Sequence, residues 1–145
     1  MLPILKLLLN NPAIVENVLE QVIWCYGNIA GENLALRDTV IADDVVGIMA
    51  AALDRAAGDS TAMRNISWCL ANFMKGERPP PEQILAPCVP SLIRALQRTQ
   101  NNVVITDIMW GLSFFTKNGS VESVQSIVQA DGVPLLVRFM EYADV

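Results

Sequence analysis

Three tryptophans recur along this chain in company that suggests recognition of a positive charge. Each stands between polar or aromatic residues at helical spacing: Gln21, Trp24 and Asn28; Asn65, Trp68 and Asn72; Asp107, Trp110 and Phe114. At roughly 100° per residue, positions i, i+3 and i+7 share one face of a helix. An indole ring attracts a lysine ammonium or an arginine guanidinium to its face, worth about 0.5–2 kcal/mol per contact. The stem of the lysine lies along apolar surface. An asparagine one turn further on offers one acceptor and two donors, enough to hold the backbone of an extended peptide without reading its sequence. Carboxylates around such walls would then favour a cation over a neutral side chain of the same shape.

The helices that carry these residues present an apolar stripe on the opposite side. In the central one the stripe is Met63, Ile66, Leu70 and Phe73, turned roughly 140° from the Asn65–Trp68–Asn72 line. Upstream it is Leu19, Val22, Tyr26 and Ile29, and downstream Ile105, Ile108, Leu112 and Phe115. The tryptophans therefore point away from the core face. Their steps are 44 and 42 residues, the size of an armadillo or HEAT unit.

The rest of the chain supplies the other helices of such units. Leu2 to Leu9 reads as a short helix, apolar almost all round, ended by Asn10-Asn11-Pro12. Ala13 to Ala30 is the first ladder helix, stopped by Gly31; Glu32 to Ala42 is a short amphipathic piece. Asp43-Asp44 are expected to cap a longer helix to about Ala57, and Ser60 to cap the second ladder helix, which fades at Gly76. Arg78-Pro79-Pro80-Pro81 reads as an extended connector. A short helix over Glu82 to Leu85 and a longer one from Pro87 to Gln97 follow. Asn101-Asn102 open the third ladder helix, which ends near Lys117-Asn118-Gly119, and Val121 to Gln129 and Val133 to Tyr142 repeat the short-then-long pair. Short, long, ladder is the three-helix order of an armadillo unit. The expectation is an all-α, right-handed armadillo superhelix with a partial repeat over 1–30, repeats over 31–76 and 77–118, and a partial repeat over 119–145.

Composition limits the chemistry. The formal net charge is −5 and no run of basic residues occurs, which argues against nucleic acid as partner and for a basic peptide. The chain has no histidine, no Gly-rich phosphate loop and no nucleophile motif, so neither an enzyme nor a metal or cofactor site is expected. Cys25, Cys69 and Cys88 have no CxxC spacing and read as packing residues. Residues 1–10 are apolar but too short to span a bilayer. Both ends read as cut through a solenoid core, so Met1, Leu2, Ile4, Leu5 and Leu8 should be partly exposed and self-association through the ends is expected.

The residues Glu20-Gln21-Val22-Ile23-Trp24-Cys25-Tyr26-Gly27-Asn28-Ile29-Ala30-Gly31 closely resemble the importin-alpha (karyopherin-alpha) armadillo motif. So do Arg64 to Asn72 followed by Pro79-Pro80-Pro81, and Trp110-Gly111-Leu112-Ser113-Phe114 is similar to that family's next repeat, where an aromatic replaces the asparagine. The resemblance covers essentially the whole chain and implies the third to fifth repeats and the start of the sixth. It implies a nuclear import adaptor of cytoplasm and nucleus that carries cargo with basic nuclear localisation signals, in complex with importin-beta. Trp24, Asn28, Trp68 and Asn72 would then belong to the major signal-binding groove. Gln21 and Asn65 match auxiliary peptide-contacting positions, and Asp107 an acidic position beside the groove. Glu32 stands where the family usually has an aspartate paired with the most deeply bound lysine, and Phe114 where it usually has a tyrosine. The repeat with the first Trp/Asn pair, the C-terminal repeats and the basic importin-beta-binding segment are not in this sequence, so it reads as a fragment or a truncated relative. The alternative expectation is an armadillo scaffold whose ladder makes a protein contact unrelated to lysine.

Overall fold

The computed structural model describes residues 2–78, 80–117 and 119–142, with the side chains of 141 and 142 outside the description. Ten α-helices and one short 3-10 turn, with no strand among the described residues, run in the order α1 (Leu2–Leu9), α2 (Glu16–Glu32), α3 (Leu34–Ile41), α4 (Val46–Arg55), α5 (Thr61–Met74), α6 (Glu82–Leu85), the turn Ala86–Cys88, α7 (Val89–Arg98), α8 (Asn102–Lys117), α9 (Val121–Gln129) and α10 (Gly132–Tyr142). The short, long, ladder order recurs. The fold is an all-α armadillo solenoid.

The ladder helices stack in series, α2 on α5 and α5 on α8, while the long helix α4 packs on α7 behind them. The apolar stripes explain this stacking. Val22 and Tyr26, then Met63, Ile66, Leu70 and Phe73, then Ile108, Leu112 and Phe115 are buried in one continuous core, with Leu19, Ile29 and Ile105 packed at its edge. Each ladder helix thus buries one side against its own unit and lends its flanks to its neighbours.

Several helix ends follow side-chain chemistry legible in the sequence. Ser60 Oγ accepts from the Met63 amide at 3.1 Å and starts α5. Asn101 Oδ1 accepts from the Val103 amide at 2.9 Å ahead of the third ladder helix. Three expectations are corrected. Gly31 does not stop α2, which continues through Gly31 to Glu32 and gives way at Asn33. Asn33 caps α3 through the Leu36 amide at 3.0 Å, so Glu32 closes one helix and does not open the next. Asp43-Asp44 do not cap α4: Val45 is its N-cap residue and makes no side-chain cap bond. Asp44 instead takes a left-handed turn with φ 57°, a conformation aspartate tolerates better than most residues. Asp43 faces Lys6 on α1 at 3.7 Å. In the proline connector, Pro79 lies outside the described residues, whereas Pro81 is extended and precedes α6.

Contacts about one repeat apart tie neighbouring units together. Arg94 donates to both oxygens of Asp54, at 2.9 and 2.7 Å, and Ser91 adds a third bond to the same carboxylate. Arg98 reaches back to the carbonyls of Leu53, Asp54 and Ala56, at the C-terminal end of α4. A guanidinium at that position satisfies carbonyls that have no partner within their own helix.

Candidate functional site

The three tryptophans occupy one exposed flank of the α2–α5–α8 stack, but not equally. Trp24 is 51% exposed and Trp110 58%, whereas Trp68 is half-buried against its neighbour helix. The cause is a glycine. A Cβ at Gly27 would lie 2.2 Å from Cζ3 of Trp68, so the indole edge fills the space that any other residue would claim on α2. One turn further along, Asn72 lies over Gly31 and its Nδ2 donates to the Gly27 carbonyl at 3.2 Å. Gly27 and Gly31 share one face of α2 and together cradle both members of the second Trp/Asn pair.

This changes the reading of Asn72. The sequence pattern presents it as a free amide, yet it is 9% exposed and one of its two donors is committed to the preceding rung. Its Oδ1 accepts no bond among the described residues, so an acceptor and the second N–H stay available. Asn28, by contrast, is exposed on α2, as is Gln21; Asn65 on α5 is half-buried.

Between α5 and α8 lies a cleft of about 360 Å³ lined by Trp68, Ala71, Asn72, Lys75, Asp107, Trp110 and Phe114. Five of the residues singled out from sequence, Trp68, Asn72, Asp107, Trp110 and Phe114, meet there. Gln21, Trp24, Asn28 and Glu32 stand one rung back on α2, outside this cleft. Trp110 and Phe114 stack at 5.7 Å between ring centroids with planes 26° apart, which stiffens the α8 wall. Small residues let the two helices close up beneath it: a Cβ at Gly111 would lie 3.2 Å from the Cα of Ala71, which lines the cleft.

Two carboxylates give the site its electrostatics. Asp107 is half-buried; burial pushes its carboxyl above the usual aspartate range, and Arg64 on the neighbouring helix partly opposes that shift. Glu32 is the last residue of α2 and exposed. A carboxylate there adds to the negative end of the helix dipole and so strengthens a field that draws in cations.

Sequence reasoning overlooked Arg37. It is 1% exposed, bonded to Asp38 Oδ1 through Nε and Nη2, to the Lys75 carbonyl at 2.6 Å and to the Arg78 carbonyl at 2.9 Å. It therefore fixes the chain just beyond α5, where Lys75 enters the cleft. The available signal was its spacing: Arg37 shares a face with the apolar pair Val40 and Ile41, and a charge on a buried face needs partners. Among the described residues no group of three His, Cys, Asp or Glu could hold a metal ion, and no helix is long and apolar enough to cross a membrane.

No family model matches the chain. Individual proteins do. Importin subunit alpha-2 of Arabidopsis thaliana is 33% identical over 127 residues, which is 88% of this chain and 23% of that protein. Importin subunit alpha-1b of Oryza sativa subsp. japonica is 32% identical over 138 residues, 95% of this chain and 25% of that protein. The chain thus spans about a quarter of the length of these relatives. Among solved structures, a designed armadillo repeat protein in complex with peptide (KR)4 superposes with a TM-score of 0.78 at 22% identity, over 97% of this chain and 56% of that one. A second designed armadillo repeat protein gives 0.82 at 20% identity, over 99% and 58%. At these identities the structural likeness shows the armadillo fold.

Proposed function

With this chain a member of the importin-alpha family over the armadillo repeats it shares with those proteins, we propose that its Trp/Asn-lined flank binds extended Lys/Arg-rich peptides. On this reading the chain is the signal-binding part of a nuclear import adaptor. The observation that carries the proposal is the ladder itself. Trp24, Trp68 and Trp110 stand on successive stacked helices, with Asn28, Asn72 and Phe114 one turn further along each.

The mechanism follows from that geometry. A lysine stem enters between neighbouring indoles and its ammonium meets their faces, each contact contributing about 0.5–2 kcal/mol. Asn28 and the uncommitted side of Asn72 hold the peptide backbone. Gln21 and Asn65 extend the amide row at the other end of the same helices, where they bond the flanking backbone. Glu32, at the negative end of α2, is the counter-charge for the most tightly held cation, and Asp107 sets a second negative edge beside Trp110. Partnership with importin-beta and shuttling between cytoplasm and nucleus belong to the same proposal, for the whole protein.

Calorimetric titration with a Lys-rich signal peptide, alongside a control with its lysines replaced by alanine, tests the reading. Binding that the control loses supports it. Equal affinity for both peptides overturns it and assigns the ladder to a protein contact unrelated to lysine.

A further inference from the structure

The polar ties between successive long helices are unequal. Between α4 and α7, Arg94 and Ser91 hold the Asp54 carboxylate, and Arg98 reaches the carbonyls at the end of α4. One repeat earlier, 43 positions back in each case, α4 carries Ile48 for Ser91, Ala51 for Arg94 and Arg55 for Arg98. The place of Asp54 is taken by Asn10, 44 positions back and just beyond α1. The junction of α1 and α4 therefore lacks the carboxylate and one of the two guanidiniums, and keeps the other.

A cleft of about 810 Å³ opens at that junction. Leu9, Ile14, Leu19 and Ile48 give it apolar walls, and the short side chain of Ala51 leaves it unfilled. Arg55 is the only charged residue in its lining among the described residues. Its counterpart Arg98 spends its donors on three carbonyls. Arg55 is exposed and makes no hydrogen bond or salt bridge among the described residues, and the side chain of Asn10 is equally uncommitted. Apolar walls with a few convergent polar groups are the usual make-up of a binding cleft of this size. A guanidinium with five open donors beside a free amide, and no carboxylate in the lining, favours an anion.

We propose that this cleft binds an extended apolar-acidic segment of a partner protein. Its leucine-like side chains lie against Leu9, Ile14 and Ile48, and a Glu or Asp carboxylate accepts from Arg55. That carboxylate takes the part that Asp54 plays one repeat later, with Asn10 as a second donor. Ile48 and Arg55 stand seven residues apart on α4, about 10 Å along the helix axis. An extended peptide covers that distance in about three residues. The segment recognised is therefore an apolar residue, two intervening positions and an acid. The site lies on the long helices behind the ladder, apart from the tryptophan flank.

The test is a low-salt titration of the whole chain, read from the backbone amide signals of residues 9–19 and 48–55 by heteronuclear NMR. Ten-residue peptides with blocked ends carry the core Leu-Leu-Ala-Ala-Glu or its reverse, the two orders covering either chain direction. The better order is expected to bind about twofold to fivefold tighter than its Glu→Gln counterpart. It should bind about tenfold tighter than its Leu→Ala counterpart. In the Arg55→Gln variant the Glu and Gln peptides should bind alike, and in Arg55→Glu the Gln peptide should bind better. Equal affinity for the Glu and Gln peptides in the unaltered chain overturns the site. So does a preference that both Arg55 variants leave unchanged, or a set of shifts confined to other residues. Displacement of the peptide by an equal concentration of octanoate assigns the cleft to a small apolar acid. Shifts of the same signals on diluting the chain without peptide assign it to a second copy. Either result overturns the peptide partner.

Discussion

The indole of Trp68 occupies the place of a side chain that Gly27 does not have: a Cβ there would fall 2.2 Å from Cζ3 and 2.7 Å from Cε3. A glycine inside a helix ordinarily costs about 1 kcal/mol relative to alanine. Here its absent side chain lets two ladder helices approach and sets the direction of the central aromatic wall. Gly27→Ala is expected to destabilise by about 1–3 kcal/mol, as overpacking does, and to weaken peptide binding because Trp68 must turn. Urea unfolding and a titration on the same variant check both. Unchanged stability would mean that the ring can adapt and that the cradle does not constrain it.

The two outer tryptophans should behave differently from the central one. Trp110→Ala removes an exposed ring and its stack on Phe114, so its stability cost should stay near 1 kcal/mol. Trp68→Ala removes the wall shared by two slots and should be the most damaging single change to peptide affinity while leaving helix content nearly intact. Far-ultraviolet circular dichroism and calorimetry on the pair separate the effects. Equal loss of affinity in both variants would remove the central role assigned to Trp68.

Arg37 predicts a large effect far from any ligand. Arg37→Met keeps much of the volume but strips the Lys75 and Arg78 carbonyls of their donor and leaves Asp38 without its nearest cation. A loss of about 2–4 kcal/mol follows from the unpaired polar groups, measurable as a lower urea midpoint. Arg37→Lys should recover only part of it, because a single ammonium cannot bridge three acceptors with the same geometry.

Two aspartates set opposite pH dependences. Hydrogen bonds from Arg94 first, and then from Ser91, hold the Asp54 carboxyl below the usual range against the effect of burial. The folded state therefore binds fewer protons there than the unfolded chain. Its stabilisation is present at neutral pH and is lost as pH falls from the ordinary aspartate range towards the depressed value. Burial raises the Asp107 carboxyl, so the folded state binds more protons there, and its penalty grows as pH rises through that range and is fully present above the raised value. Asp54→Asn should flatten the acid limb of a stability–pH curve, whereas Asp107→Asn should remove some of the fall on going from acid to neutral pH. Curves with the two variants interchanged would refute the assignment.

The outer face of α1 leaves Ile4 64% and Leu7 72% exposed. Leu2, Leu5 and Leu8 are half-buried, and Met1 lies outside the described residues. Concentration-dependent association is expected in light scattering, and Leu7→Glu should abolish it. A monomeric mass at high concentration in the unaltered chain would refute it.

The 44- and 42-residue steps, the apolar stripes and the Ser60 cap were legible in one dimension because each is a local periodicity or a local hydrogen bond. These features are enough for helix type, repeat length, armadillo class and the line on which the site residues stand. Other features required the stack itself. That Trp68 is half-buried while Trp24 and Trp110 are not depends on Gly27, 41 positions away in sequence. That Asn72 has spent one donor depends on the same rung, and the two carbonyls that hold Arg37 lie beyond the next ladder helix. Sequence specifies which face of a helix a residue occupies, through the fixed angle between successive side chains. The distance between two helices is set by how closely their side chains let the backbones approach, and only the packed structure determines that.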